Sequence, residues 1–488
     1  MIAWTIYLTL AGAVVVLLLP CIFARWISLL TTLAGLILGI VAFVRTPIAD
    51  LAHFTTIISL PWVPPLGMNY HLAIDGVSLT MVLVTGISAV STVLFSWDVD
   101  HRQREFFFWL LLVVVGCYGV FLSADLFLFF AFYELVIVPK YFLIAIFGST
   151  NKDYGAMKLT LYSFFGGMFV FAGIIVTYAT AGSLDLNQLA QFHFNPELQS
   201  WAFPVLFLGF AVLAGIWPLH TWAPTGHVAA PTAGSMLLAG IVMKLGAYAG
   251  LRIAMNLFPE GFEMWSKSIA VLAVIGIVYA AAAALRQHDL KFVIGYSSVS
   301  HMGFVLLGLA TANVFGVSGA ILQMFSHGVI AALLFAVAGR MLYRRTHTRE
   351  LDALSGMNLS HALPFAAFTF VVASAASMGI PGFSGFAAEI TILVGVWKTY
   401  PIAVWITGAG MVLVAAFTLR ALVKSFFGET RTQTGRVPTD ADWTEQSITL
   451  AEKGGACLLM FATLAVGLYP KVLLDRIMPA VEAMRFLK

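Results

Sequence analysis

Charge is what this chain lacks. Only 10% of its 488 residues are Asp, Glu, Lys or Arg, and 60% are hydrophobic. Soluble domains carry about 25% charged residues, and mean hydropathy here is +0.94. That balance excludes a soluble domain of this length, and it leaves no basic patch for nucleic acid. Cysteine is also scarce. Cys21, Cys117 and Cys457 lie in or beside apolar runs without metal or disulfide spacing, and read as small packing residues. No Lys or Arg precedes Arg25, so the first apolar run lacks the basic start of a secretory signal and is expected to be a retained span. Long polar stretches are almost missing. Residues 46–73, with Pro47, Pro61, Pro64 and Pro65, read as a loop, and 427–449 as the one soluble-looking segment near the end.

What remains is hydrocarbon-compatible. With about 20 apolar residues needed per span, fourteen segments qualify: 2–22, 26–45, 74–96, 105–123, 125–147, 155–180, 201–227, 229–255, 265–285, 290–312, 314–343, 361–398, 401–426 and 450–471. The expected fold is an all-α polytopic membrane protein. Basic residues gather in the loops after odd-numbered spans: Arg25, Arg102, Arg104, Lys152, Arg286, Lys291, Arg344, Arg345, Arg349, Arg431 and Arg436. Two of the other loops are acidic, with Asp185 and Glu197 in one and Glu260 and Glu263 in the next. The positive-inside rule then places the N-terminus outside.

Spans seven and twelve cannot be single helices. The first is interrupted by GIWPLHTWAP (215–224) and the second by GIPGFSG (379–385), where proline removes a donor and clashes with the preceding turn. Broken backbone at membrane depth persists only where protein or a wet cavity satisfies it. The breaks lie five spans apart, an odd number, so two five-helix units would enter the membrane in opposite senses. This predicts inverted repeats over spans 4–8 and 9–13. The expected organisation is 1–104 for spans one to three and an outer loop, 105–255 and 256–426 for the two repeats, and 427–488 for a cytoplasmic loop and final span.

Several charges sit inside the spans, where each costs about 2.5–3.5 kcal/mol on insertion scales and marks an ion path by default. Glu134 lies nine residues after Asp125, about 14 Å along a helix and near mid-membrane. Lys140 follows in the same span, Lys244 is central in span eight, and Glu389 follows the second break. A buried lysine gives up its proton more readily, and a carboxylate beside a mobile cation can switch protonation. Static bonding of Glu134, an ion-pair lock at Lys244 and helix capping by Glu389 are the structural alternatives. His220 and His227 flank the first break, and His301 and His327 lie in spans ten and eleven. Their spacing fits a proton relay better than a metal site. Lys158, Asp289 and Lys291 read as anchors at the inner ends of their spans.

The run HTWAPTGHVAAPTAGS (220–235) continues to Lys244 and Tyr248. With Tyr133-Glu134, Val138-Pro139, SSVSHMGF (297–304), QMFSHG (323–328) and Gly379 to Glu389, it closely resembles the antiporter-like membrane subunits of proton-pumping NADH-quinone oxidoreductase, respiratory complex I. The match covers roughly residues 70–430 and is nearest to the subunit M (chain 4) branch. The resemblance implies a hydrated polar axis made by Glu134, Lys244 and Glu389, connected through His220, His301 and His327. It also implies a bacterial inner (cytoplasmic) membrane location and neighbours of the L, N and small-subunit kinds. Flavin, iron–sulfur clusters and quinone would belong to those partner subunits, leaving this chain without cofactor or metal.

One departure stands out. The family's lysine in the broken seventh helix falls on Leu213 here, and Lys140 occupies a usually uncharged site. Lys140 either replaces the missing cation as a proton-transfer group or snorkels toward the inner interface. The competing readings are a cation/proton antiporter subunit, a membrane-bound hydrogenase subunit, and a scaffold paralogue that does not conduct.

Overall fold

The computed structural model describes residues 1–428 and 447–487. Arg431, Arg436 and most of the soluble-looking 427–449 segment lie outside the described residues. The helices are α1 Trp4–Leu18, α2 Ala24–Arg45, α3 Gly76–Phe95, α4 Gln103–Leu122, α5 Leu126–Phe147, α6 Lys152–Ala181, α7 in halves Pro196–Ala214 and Trp222–Ala229, and α8 Thr232–Met255. They continue with α9 Pro259–Arg286, α10 Leu290–Ala310, α11 Val314–Thr346, α12 in halves Pro364–Ser377 and Ser384–Thr399, α13 Pro401–Phe426, α14 Leu450–Leu468 and α15 Lys471–Glu482. Among the described residues, 12 helices are long and apolar enough to cross a membrane, and Trp4–Leu18 and Pro364–Ser377 are apolar but shorter.

Two expectations need correction. Residues 46–73 are not simply loop: Thr55–Val63 (β1) and Met68–Ile74 (β2) form an antiparallel hairpin. Pro61 had argued against a strand, but it sits beside a register shift, where a missing ladder donor is tolerated. The last span is followed by α15, whose Leu473 and Ile477 are buried while Lys471 and Val472 are exposed. It packs against α3.

Polar side-chain caps start several helices. Asp75 and Ser78 form a reciprocal capping box on α3, Asp125 accepts from the N–H groups of Phe127 and Leu128 on α5, and Thr449 with Glu452 caps α14. Each satisfies N–H groups that a helix start leaves without partners. In α5, Pro139 has no N–H for the Leu135 carbonyl, and the helix is interrupted at Val136.

Burial sorts the helices. α8 and the middle of α11 are enclosed, α3 and α10 nearly so, while α2, α6 and α13 turn apolar side chains outward. The second half of α7 packs against α6 and α10, and the second half of α12 against α11. Both breaks therefore abut the enclosed centre, where Lys244, His301 and His327 are buried.

Candidate functional site

The two breaks are built alike. After the first half of α7, Gly215 turns left-handed at φ +77, the Ile216 N–H returns to the Ala211 carbonyl at 3.1 Å and the Gly215 N–H to Val212 at 3.2 Å. After the first half of α12, Gly379 does the same at φ +68, with Ile380 to Ala375 at 3.1 Å and Gly379 to Ala376 at 3.4 Å. This paired closure is the standard way to satisfy a helix's last carbonyls, and its left-handed position favours glycine. Further donors finish each break. The Trp222 indole N–H donates to the Val212 carbonyl at 2.8 Å, and Nε2 of His301 contacts the Ser377 carbonyl at 3.2 Å.

Four side chains meet beside the second break. Lys244 is fully enclosed, with Nζ 2.7 Å from Nδ1 of His327, and it donates also to the Ala239 carbonyl. Ala239 belongs to a π-helical stretch, Leu238–Val242, directly before the lysine. Such wide turns are uncommon and recur at functional sites. The rings of His327 and His301 stack with centroids 5.4 Å apart. Nε2 of His301 then lies 3.8 Å from Oε1 of Glu389. Nδ1 of His301 faces the Ser297 carbonyl at 2.8 Å, so both ring nitrogens face acceptors only. Lys244, His327, His301 and Glu389 thus form a string in which each group touches the next.

Glu389 is not a cap. It sits in the sixth position of its half-helix, and no backbone N–H donates to it among the described residues. Its Oε2 fills the space beside Gly379 that a side chain there would need. Glu134 is held the same way, with Oε1 against Gly167 of α6. Glu134 is only partly buried, and its Oε1 has no hydrogen-bond partner. The static, fully bonded glutamate considered from sequence is not what the fold contains.

Lys140 is enclosed, at 2% exposure, which removes the snorkelling alternative. Its Nζ donates to the Ser163 hydroxyl at 3.5 Å, and no ion pair with Glu134 forms. Beside Lys140, between α4, α5 and the π-helical part of α8, is a void of about 10 Å3 lined by Val113, Gly234 and Leu238. Apart from Lys140 its lining is apolar. His220 stands apart from the string, with its ring beside Tyr279 and Tyr296 at 5.4 and 6.3 Å and both nitrogens without partners. His227 lies flat on Phe335 at 4.8 Å, also with both nitrogens free.

Sequence reasoning missed two features. Lys291, read as an interface anchor, is buried and donates to the Ala230 carbonyl at 2.9 Å and the Ser235 hydroxyl at 3.4 Å. Arg252, two turns beyond Lys244, pairs with Asp75 in a buried contact at the base of a cavity of about 620 Å3. Asp75 had a local signal as a cap before an apolar run, but its partner is distant in sequence. Nearer the membrane surface, Asp98 binds Arg340 at 2.6 Å and Arg344 at 2.8 Å, and Glu452 binds Arg340 and Arg345, which ties α14 to α11 and the α3–α4 loop. Burial alone would raise the Asp98 carboxyl, but the bonds and charges of Arg344 and Arg340 hold it below the usual range.

Residues 123–415 match the family described as NADH:quinone oxidoreductase/Mrp antiporter, TM. The chain belongs to that family. It is 38% identical over 456 residues to NAD(P)H-quinone oxidoreductase chain 4 1 of Synechococcus elongatus, covering 92% of this chain and 84% of the relative. It is 34% identical over 471 residues to NADH-quinone oxidoreductase subunit M of Rhodobacter capsulatus, covering 94% and 90%. A chain of respiratory complex I from Thermus thermophilus with bound NADH matches all of both chains at a TM-score of 0.89 and 25% identity. A chain of the Mrp complex from Dietzia sp. DQ12-45-1b has the same fold, with a TM-score of 0.83 at 21% identity and coverage of 99% and 97%. Within this antiporter-like fold, Leu213 is buried in the last turn before the first break, among apolar neighbours.

Proposed function

We propose that this chain is the proton-translocating, antiporter-like subunit M of a complex I type NADH-quinone oxidoreductase. In this reading it moves H+ while quinone is reduced in other subunits, and its own residues supply no redox centre. The string Lys244–His327–His301–Glu389 carries the proposal. Each member can hold or release a proton, and each is within contact of the next, so a charge moving along it keeps a polar partner throughout. Glu134 and Lys140 form the other end of the route, with Lys140 beside a small void that borders Leu238 and Val242 of α8. His220 keeps a relay role at the first break through its unpartnered nitrogens.

The twin glycine-capped breaks support two inverted repeats, with residues 105–255 and 256–426 as half-channels, flanked by 1–104 and 427–488. The basic loops support a cytoplasmic-membrane orientation with the N-terminus outside and the face of Arg102, Arg340 and Arg344 inside.

The test is proton uptake by the reconstituted complex during NADH-driven quinone reduction. Lys244→Ala should remove this chain's share of uptake and leave electron transfer running. Equal uptake in variant and parent would overturn the proposal. It would favour the second reading, a scaffold paralogue, for which the apolar Leu213 at the family's lysine position speaks.

A further inference from the structure

At the end of α3 away from the basic α3–α4 loop, the cavity of about 620 Å3 lies over the start of α3 and the end of α8. Its other walls are residues 52–54, 186–193, α15 and the segment after it. Exposed His53 and His193 stand at its mouth, and Arg252, only 7% exposed, lies at its base. Arg252 belongs to a second π-helical stretch of α8, Gly250–Met255, and such turns recur at functional sites. The Phe54 ring lies 4.3 Å over its guanidinium, one terminal nitrogen pairs with Asp75, and the enclosed Nε has no partner.

The charges on the wall do not balance. Among the described residues, Asp75 is the only carboxylate lining the cavity, and both its oxygens are taken: Oδ1 accepts the Ser78 N–H at 2.8 Å, and Oδ2 pairs with Arg252. Arg485 is the second guanidinium, half-buried and without an ion pair among the described residues. Its Nη1 donates to the Phe192 carbonyl at 2.6 Å and its backbone N–H to Asn256 Oδ1 at 3.1 Å, which holds it at the wall. Glu260 is not on the wall and acts on Arg485 only from beyond ion-pair reach. A guanidinium carries five donors in a planar fork that matches phosphate oxygens. Two of them against one occupied carboxylate leave donors and a positive charge for a ligand. The volume falls in the range of small-molecule sites, and Leu257, Ala480 and Met484 give the cavity an apolar side.

We infer that this cavity binds a phosphate group between Arg485 and Arg252, with the apolar side free to take glycerol carbons. A phospholipid headgroup from the adjoining leaflet and a free phosphate share that chemistry. The bound anion bridges the end of α8 to the segment after α15, and so fastens the C-terminal helix to the bundle. The site is separate from the Lys244 string and holds whatever that string carries.

The test takes the intact complex in uncharged detergent through two measurements. One is photolabelling by dioleoyl phosphatidylglycerol with a diazirine on its headgroup, and the other is equilibrium dialysis against radiolabelled inorganic phosphate. A lipid phosphate predicts adducts on residues 52–54 or 480–485. These should fall about tenfold or more in Arg485→Gln, the weight of one charge-assisted hydrogen bond. A free phosphate predicts no such adducts, and one more ion bound by the parent than by Arg485→Gln. Neither signal in the parent, or equal signals in parent and variant, would overturn the inference. Should Arg485→Gln fail to assemble, His193→Glu at the exposed rim sets a negative charge at the mouth and should lower whichever signal the parent gives. An undiminished signal in His193→Glu would overturn the inference as well.

Discussion

Lys244 Nζ and His327 Nδ1 lie 2.7 Å apart, so the nitrogens of two enclosed side chains share one proton between them. The pair joins α8 to α11 at the point where the two proposed half-channels meet. His327→Gln keeps a polar side chain there but cannot take up a charge. Loss of such a positioned acid–base group costs about 100-fold or more in transfer rate. Uptake per quinone reduced should therefore fall to that of Lys244→Ala, and restoration by glutamine would show that hydrogen bonding alone suffices.

Each carboxylate of the axis rests on a glycine: Glu134 on Gly167 and Glu389 on Gly379. A methyl group at either position collides with the carboxylate oxygen. Gly167→Ala has no backbone penalty beyond the collision, since the residue is helical. It should assemble normally and lower proton uptake. Gly379→Ala adds the strain of a left-handed alanine at φ +68, about 1–2 kcal/mol. It should lower both uptake and melting temperature, and the contrast between the two variants separates displacement of the carboxylate from damage to the break.

Lys140 is an enclosed ammonium with one long hydrogen bond. Replacing a buried charge by an apolar group of similar length is often neutral or stabilising. Lys140→Met should therefore melt no lower than the parent, while its proton uptake drops if Lys140 stands in for the lysine missing at Leu213. Unchanged uptake would end the idea of compensation.

Asp75 and Arg252 are both buried and paired. Removing one partner strands the other, at about 3–5 kcal/mol. Asp75→Leu alone should lower the melting temperature sharply, and adding Arg252→Leu should recover most of the loss. Thermal unfolding of the purified complex, followed through this subunit's retention, reads the difference.

Asp98 lies outside the spans, and its carboxyl is held below the ordinary 3.8 by Arg344 and Arg340 against the opposing effect of burial. A depressed folded pKa gives stability that is present above the unfolded value and lost as pH falls through the folded one. The tie between α14, α11 and the α3–α4 loop should hold at neutral pH and loosen below pH 3.8. Asp98→Asn should flatten that acid limb, and an unaltered limb would assign it to other carboxylates.

The depth of the charged residues was legible, because Glu134, Lys140, Lys244 and Glu389 interrupt otherwise apolar runs. So were the breaks, since Pro218 and Pro381 leave no continuous helix. Direction around a helix was not legible. Lys291 looked like an anchor because it begins a span, yet it turns inward to the Ala230 carbonyl. The hairpin escaped because Pro61 and Pro64 argue against strands, whereas the ladder accommodates Pro61 at its irregular end and Pro64 opens the turn Pro64–Leu66 between the strands. The stacking of His301 on His327 and the bond between Arg252 and Asp75 depend on which helices become neighbours, which no local pattern records.

The wide turn of α8 brings a main-chain oxygen against the enclosed Lys244 nitrogen. Because the Ala239 carbonyl is one of the groups holding Lys244, the charge on that nitrogen sets how strongly a backbone oxygen of the same helix is held. With Lys244 in the proposed carrier role, a change in its charge would alter the pull on the segment Leu238–Val242.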